Sequence, residues 1–368
     1  MSSIGTREGL RRERIEASPH YVNGAFQNTA SVAPGLRKGT TGATMREYFF
    51  GGQRRTPAAP LPSSDPLSAW GRAAQTGLRA TWLGHSTVLV EMDGARILTD
   101  PVWGDRASPV SFAGPKRFQP VPVPIAALPP LDAIVVSHDH YDHLDRASIV
   151  ELAKLGTPII TSLGVGAHLS EWGIPGSLVT ELDWWESVVV EKGAGLSITA
   201  APSQHFSGRI TAGRNSTLWS SFVVRGPRHA VFFSGDTGLT PEYVDIAARL
   251  GPFDLVMLEV GAYHPAWGDI HLGPDNALRA LGLLGGGAFL PVHWGTFNLA
   301  MHDWDEPAET LLKLAEPGGV QLVMPRLGEA VEPSLVERVD AWWRPIAALD
   351  RKKGAEAGTA LGVEVTNQ

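Results

Sequence analysis

Cysteine is absent from all 368 residues of this chain. That excludes disulfides, thiolate metal sites and a cysteine nucleophile, so any metal here has to be held by histidine and carboxylate. Basic charge is scarce as well: 31 Lys and Arg stand against 38 Asp and Glu, a net −7. A mildly acidic chain lacks the footprint of a general nucleic-acid binder, and no nucleic-acid partner is expected. No apolar run approaches the roughly 18 residues that a membrane helix needs. The N-terminal stretch MSSIGTREGLRRERIEA is charged where a secretory signal would be apolar. The expectation is a cytoplasmic protein without a transmembrane segment, with a homo-oligomer left open. What is plentiful is hydrophobic residues at 43%, with 41 Gly and 28 Pro. This is enough for a sizeable core joined by many turns, and it excludes a disordered chain, a collagen and a coiled coil.

Three segments are expected. Residues 1–77 are rich in Pro, Gly, Ser, Thr and Arg, and read as an arm packing over a core, frayed at its start. Within the arm, Met45 to Phe50 beside Arg54 and Arg55 reads as a helix or turn docking its aromatics on the core. The alternative is an aromatic and basic patch that meets a lipid surface. Residues 78–349 form the core domain, and 350–368 a loose polar tail. From Leu78 onward short strand patterns appear, with an Asp93-Gly94 pair suited to a tight hairpin turn. Helical patterns at 147–155, 241–250, 274–284 and 307–314 lie between later strands. Hairpins followed by strand–loop–helix units imply an α/β fold of αββα layering.

The chemistry is concentrated in Ser137-His-Asp-His-Tyr-Asp-His143, directly after the apolar strand Ala133 to Val136. Alternate side chains at such a turn let His138 and His140 converge on one ion while Asp142 and His143 face a second. Neutral imidazole and carboxylate suit zinc at roughly 2.0–2.2 Å. Two metals need more ligands, and three isolated residues at strand ends supply them: His205 after 196–200, Asp236 in Ser-Gly-Asp-Thr-Gly, and His293 before Trp-Gly. The expected sets are His138, His140 and His205 for one ion, and Asp142, His143 and His293 for the other. Asp236 has two oxygens and can bridge them.

This ordered series resembles the metallo-β-lactamase superfamily, whose fold is an αββα sandwich with a dinuclear metal site at one edge of the sheets. The likeness spans about residues 78 to 325 and includes all seven metal-ligand positions. Longer strings look most like N-acyl-phosphatidylethanolamine-hydrolysing phospholipase D and its bacterial relatives. Among them are Thr81-Trp-Leu-Gly-His-Ser-Thr-Val-Leu-Val-Glu91, Gly114-Pro-Lys-Arg-Phe118, Gly261-Ala-Tyr263 and His293-Trp-Gly-Thr-Phe297. A branch similar to the bacterial ascorbate-6-phosphate lactonase shares Gly84-His85 and Thr99-Asp100-Pro101. The resemblance implies hydrolysis by a hydroxide bridging two zinc ions, with iron or manganese as alternatives. It implies a phospholipid-like or glycerophosphodiester substrate and a phosphodiesterase of phospholipase D type. A lactonase or other ester hydrolase is the competing enzyme, and a non-hydrolytic metal-binding scaffold the competing class. Peripheral membrane contact is compatible with a small-molecule or lipid-like substrate.

Other residues carry narrower expectations. His85 and Asp100 are expected to orient the metal-binding side chains. Asp142, besides binding metal, can accept a hydrogen bond from the nucleophile. His271 is given, by resemblance, a substrate-contacting or acid role. His264 is given none, and His20, His168, His229 and His302 are read as surface or core histidines. Arg209 and Lys116-Arg117 could meet an anion but read more simply as solvated. The pairs Trp184-Trp185 and Trp342-Trp343 are expected to be buried.

Overall fold

The computed structural model describes residues 2–32, 35–190, 195–209 and 213–351; most of the expected tail, 352–368, lies outside them. The arm begins with helix α1 (Ser2–Ala17), where the sequence reading leaves a frayed stretch. The hairpin β1 (Tyr21–Val22) and β2 (Ala25–Phe26) follows, then α2 (Thr41–Phe50) and α3 (Leu67–Trp70). Arg11 of α1 pairs with Glu181 at 2.7 Å. Phe26 is fully buried among Leu163, Trp184, Leu218 and Trp219.

The first sheet contains β3 (Leu78–Gly84), β4 (Thr87–Met92), β5 (Ala95–Thr99), β6 (Ala133–Val136), β7 (Ile159–Ser162) and β8 (Val179–Leu182). The second contains β9 (Ser187–Val190), β10 (Leu196–Ala201), β11 (Ser221–Arg225), β12 (Ala230–Phe233), β13 (Leu255–Glu259) and β14 (Ala288–Val292). A short β15 (Ala330–Val331) closes the edge of the first, in the order β15-β3-β4-β5-β6-β7-β8; the second runs β14-β13-β12-β11-β10-β9. Pairing is antiparallel from β3 to β5 and from β9 to β12, and parallel from β5 to β8 and from β12 to β14. The expected turn joins β4 to β5, with Asp93 and Gly94 both at positive φ (52° and 87°).

Strands of the first sheet are buried on both faces, and a two-residue period sorts their side chains. Ala80, Trp82, Val88, Val90, Ile97 and Val135 join the core shared with the second sheet. Their neighbours Leu83, Leu89, Leu98, Ile134 and Val136 pack outward on Ile149 and Leu152 of α4 (Arg146–Ala153) and Leu169 of α5 (Gly166–Glu171). The N-terminus of α4 is capped by Asp145, which accepts from the Ser148 N–H. The far face of the second sheet is covered by α6 (Glu242–Leu250), α7 (Gly273–Leu283) and α8 (Glu306–Ala315), through Tyr243, Ile246, Ala277, Leu281, Ala308 and Leu311. The layering is thus αββα, as expected. Trp342 and Trp343 are buried; Trp342 stacks on Trp294, which stacks on Trp82 with centroids 5.4 Å apart.

Among the backbone hydrogen bonds that sew the sheets together at one end are those from the His293 N–H to the His85 C=O at 3.0 Å and from the Ser220 N–H to the Ser137 C=O at 3.1 Å. One expectation fails on the arm. The aromatics of α2 do not dock on the core: Tyr48, Phe49 and Phe50 are 51%, 65% and 82% exposed. The helix is instead held by its polar residues, with Glu47 bonded to Gln53 and to His264. No helix among the described residues is long and apolar enough to cross a membrane.

Candidate metal centre

Strand direction assembles the site. The pairing pattern makes β3, β5 and β6 run one way in the first sheet, and β10, β12, β13 and β14 run one way in the second. Their carboxyl ends meet at the sewn edge, where α/β sheets generally place ligands. His85 follows β3, Asp100 follows β5 and the 137–143 turn follows β6. His205 follows β10, Asp236 follows β12, Glu259 ends β13 and His293 follows β14. Residues forced into the left-handed backbone region gather here too: His85 (φ 54°), Asp100 (32°), Ala262 (52°) and His293 (65°). Such conformations cost about 1–3 kcal/mol each and persist only where the surroundings impose them.

All seven residues expected to hold metal come together. His138 Nε2 and His205 Nε2 lie 2.9 and 3.2 Å from His140 Nδ1, and 3.9 and 3.7 Å from Asp236 Oδ2. On the other side of Asp236, its Oδ1 is 3.1 Å from His143 Nε2 and its Oδ2 is 3.2 Å from His293 Nε2. Asp142 Oδ2 lies 3.4 Å from His293 Nε2 and 3.6 Å from His143 Nε2. Three overlapping groups result among the described residues: His138, His140, His205 and Asp236; His85, Asp142, His143 and His293; and Asp236, Glu259, His271 and His293. His85, expected to orient the site, has Nε2 3.0 Å from Asp142 Oδ2.

The donor set fits divalent cations. Among the described residues, His143 Nε2, Asp236 Oδ1 and His293 Nε2 are buried without a hydrogen-bond partner. Buried polar atoms are rarely left so, and these are the imidazole and carboxylate atoms that bind zinc-like ions. Three of the rings are anchored through their other nitrogen: His143 Nδ1 on Asp100 Oδ2 at 2.6 Å, His205 Nδ1 on the Ile270 carbonyl at 3.0 Å, and His138 Nδ1 on Ser137 Oγ at 2.9 Å; His293 Nδ1 has no hydrogen-bond partner. Burial pushes the His138 and His205 rings well below the ordinary imidazole range, which keeps them neutral. Burial also works against a charged His293, but Asp236 and Asp142 outweigh it and push that ring up to about 10. Buried as they are, Asp142 and Asp236 sit well below the usual carboxylate range, held there chiefly by His143 and, for Asp236, also by His293. The buried negative charge demands positive charge beside it, a demand that cations at this point would meet.

Beside the metal-ligand groups lies Glu259, which the sequence reading missed. It is fully buried at the end of an otherwise apolar strand and accepts from the backbone of Thr237 and Leu272 at 3.0 and 3.1 Å. Its second partner is His271, whose Nδ1 lies 2.9 Å from Oε2. The signal was available in sequence, as a lone carboxylate closing Leu-Val-Met-Leu-Glu259. The arginines were misread. Arg117 is buried and donates to the Val102 and Gly104 carbonyls, and Arg209 donates to the Asp139 and Leu144 carbonyls. Arg117 is therefore not solvated, and Arg209 is partly buried with its guanidinium over the Tyr141 ring. His168 is a core histidine, its Nε2 3.2 Å from buried Asp139.

A cavity of about 330 Å³ opens over the groups, with His140, Asp142, Asp236, His271 and His293 on its floor. Its walls are largely apolar: Leu36, Phe206, Trp267, Ile270 and Leu299.

Residues 95–294 match the Beta-lactamase superfamily domain. The chain belongs to this superfamily. It is a metal-dependent hydrolase of the metallo-β-lactamase fold. An uncharacterized protein of Mycobacterium tuberculosis is 45% identical over 349 residues, covering 93% of this chain and 92% of that protein. The N-acyl-phosphatidylethanolamine-hydrolyzing phospholipase D 1 of Caenorhabditis elegans is 41% identical over 253 residues, covering 66% of this chain and 71% of that enzyme. Among solved structures, Igni18, a metallo hydrolase of Ignicoccus hospitalis, shares the fold with a TM-score of 0.53 at 23% identity, covering 69% of this chain and 97% of that one.

Proposed function

We propose that this hydrolase cleaves a phosphodiester bond of a phospholipid-like molecule on the head-group side, in the manner of a phospholipase D. The observation that carries the reading is the cavity, whose floor is polar and ligand-rich while its walls are apolar. The likeness to the Caenorhabditis elegans phospholipase over more than two thirds of that enzyme supports it.

In this reading His138, His140 and His205 would hold one cation and Asp142, His143 and His293 the other, with the Asp236 carboxylate available to both. Two zinc ions are the expected pair, and iron or manganese would suit the same donors. When bound, such a pair supplies Lewis acidity toward the phosphoryl oxygens and lowers the pKa of water toward neutrality. Asp100 fixes the His143 ring directly and the His138 ring through Ser137, so each presents Nε2 inward. Asp142 is placed to accept a hydrogen bond from the attacking water. The water oxygen bonds to phosphorus as the bond from phosphorus to the head-group oxygen breaks. That oxygen takes a proton, for which His271 is the nearest candidate: Glu259 occupies its Nδ1, leaving Nε2 for the cavity. The exposed aromatics of α2, with Arg46 and Arg55 on or beside that helix, supply a contact for a lipid surface.

The test is turnover of the purified protein on an N-acylated phosphatidylethanolamine and on bis(p-nitrophenyl) phosphate, beside a lactone panel, with metal content measured on the same sample. Head-group release with two metals per chain is expected. Lactone opening without phosphodiester cleavage would replace this reading with the ester-hydrolase one.

A further inference from the structure

The family match covers residues 95–294, yet one residue far outside it touches a proposed metal ligand. Asn28, in the arm, forms two hydrogen bonds with the backbone of His205. The His205 N–H donates to Asn28 Oδ1 at 2.9 Å, and Asn28 Nδ2 donates to the His205 carbonyl at 2.8 Å. A side-chain amide engaging both backbone groups of one residue does what a neighbouring strand would do. His205 sits past the end of β10, where the ladder no longer supplies partners, and it is buried, so both groups need satisfying.

Asn28 is itself held in place. Its Oδ1 also accepts from Trp219 Nε1 at 3.0 Å, and that indole donates to the Ser203 carbonyl at 3.0 Å. Two residues earlier Phe26 is buried on the same tryptophan, and its N–H donates to the Asn215 carbonyl at 2.8 Å. Further back, Arg11 fastens α1 to Glu181. Beyond Asn28 the Arg37 N–H donates to the Ala266 carbonyl at 2.7 Å, so the arm is anchored on either side of its grip on His205. On the ring side of His205 the Ile270 carbonyl holds Nδ1 at 3.0 Å, and Nε2 lies 3.2 Å from His140 Nδ1.

We propose that Asn28 is a positioning residue for the metal position formed by His138, His140 and His205, so that the catalytic domain completes that position only with the arm in place. The inference rests on the metal-binding reading above. Removing Asn28 leaves the His205 backbone without two partners in a buried turn, and the turn moves to recover them. Even a shift of some tenths of an ångström displaces Nε2 from the point where the other imidazoles converge. Partners that orient ligands commonly govern metal affinity by about 10–100-fold.

The experiment uses the full chain loaded with zinc and dialysed against graded chelator, with zinc per chain measured by mass spectrometry and melting followed in parallel. Cobalt-substituted protein gives an absorption spectrum that reports the geometry of the altered position. The wild type is expected to hold two zinc ions. Asn28→Ala should release one of them at a chelator activity about 10–100-fold lower and change the cobalt spectrum. Arg11→Ala, which loosens α1 without touching Asn28, should retain both ions as the wild type does. Wild-type zinc retention by Asn28→Ala would overturn the proposal. Should that variant fail to fold, Asn28→Asp carries the test. It keeps Oδ1 for the two N–H donors but sets a carboxylate oxygen against the His205 carbonyl, so retained affinity there overturns the proposal equally. A wild type that binds no zinc, iron or manganese would instead remove the metal reading itself, a distinguishable result.

Discussion

Asp100 and His143 are joined by a hydrogen bond of 2.6 Å between two side chains with no solvent exposure. The same carboxylate accepts from Ser137 Oγ at 2.6 Å and from the Ser137 N–H at 2.7 Å, and Ser137 Oγ in turn meets His138 Nδ1. One residue after β5 therefore governs an imidazole in each proposed metal position. Burial pushes the Asp100 carboxyl up, while His143 and Ser137 pull against it.

Replacing this acceptor without changing its size should separate orientation from packing. Asp100→Asn is expected to weaken zinc binding about 10–100-fold and to lower kcat by a similar factor, with KM little changed. Calorimetric zinc titration and steady-state kinetics check both. Unaltered affinity would show that Asp100 only fills space.

His140 sits between His138 and His205 on the cavity floor. His140→Ala should reduce turnover by a factor on the order of a thousand, since the several kcal/mol of charge stabilisation that a metal supplies is lost. Circular dichroism should be unchanged, because His140 belongs to the turn after β6 and not to the hydrophobic clusters. Full activity in this variant would sink the metal assignment.

Phe49 and Phe50 expose most of their surface on a helix whose partner Glu47 reaches the loop of His264. Phe49→Ser combined with Phe50→Ser should cut binding to vesicles containing anionic phospholipid by about tenfold or more, since burying one aromatic ring contributes up to roughly 1.5–3 kcal/mol and each 1.4 kcal/mol is about tenfold. Hydrolysis of a soluble phosphodiester should not change. Equal loss on both substrates would place these rings in the catalytic machinery instead.

Asp93 offers a pH test far from the metal groups. Burial raises its carboxyl, but the Arg228 N–H and the ring and N–H of His229 more than compensate, and the net shift is downward. A carboxylate with a depressed folded pKa contributes stability that is present above its unfolded value of about 3.9 and is lost as the pH falls through the folded value. Asp93→Asn keeps a residue suited to the left-handed turn (φ 52°). It should cost about 1–2 kcal/mol at neutral pH, from weakened bonds to Arg228 and His229. It should also flatten the fall in stability below about pH 4. Denaturant melts at pH 3 and pH 7 measure the difference; parallel pH profiles for both proteins would refute the assignment.

The sandwich and its seven metal-ligand candidates were legible because four cluster in the 137–143 turn and three are lone His or Asp residues, all just past an apolar strand. Local sequence carries that signal: the strand stops, and a polar group appears where its chain leaves the sheet. The Asp93-Gly94 hairpin was legible for the same reason, since its backbone geometry demands particular residues. Long-range partnership was not legible. Nothing in Phe-Gln-Asn28 announces that it will grip His205, and the lone carboxylate of Glu259, visible in sequence, gave no sign that Thr237, His271 and Leu272 would be its partners. Arg117 and Arg209 were misjudged because backbone carbonyls, which have no sequence signature, absorb their charge. The aromatics of α2 were misjudged because propensity for burial says nothing about a helix that packs through its polar side.

Two of the backbone hydrogen bonds across the sewn edge, from His293 to His85 and from Ser220 to Ser137, have a kinetic meaning. They tie the 137–143 turn and the His293 loop to the joint between the sheets, whereas the His205 turn is held by Asn28 instead. Moving His143 or His293 away from a bound ion would require parting that joint, so an ion held there would exchange on the timescale of a rare opening.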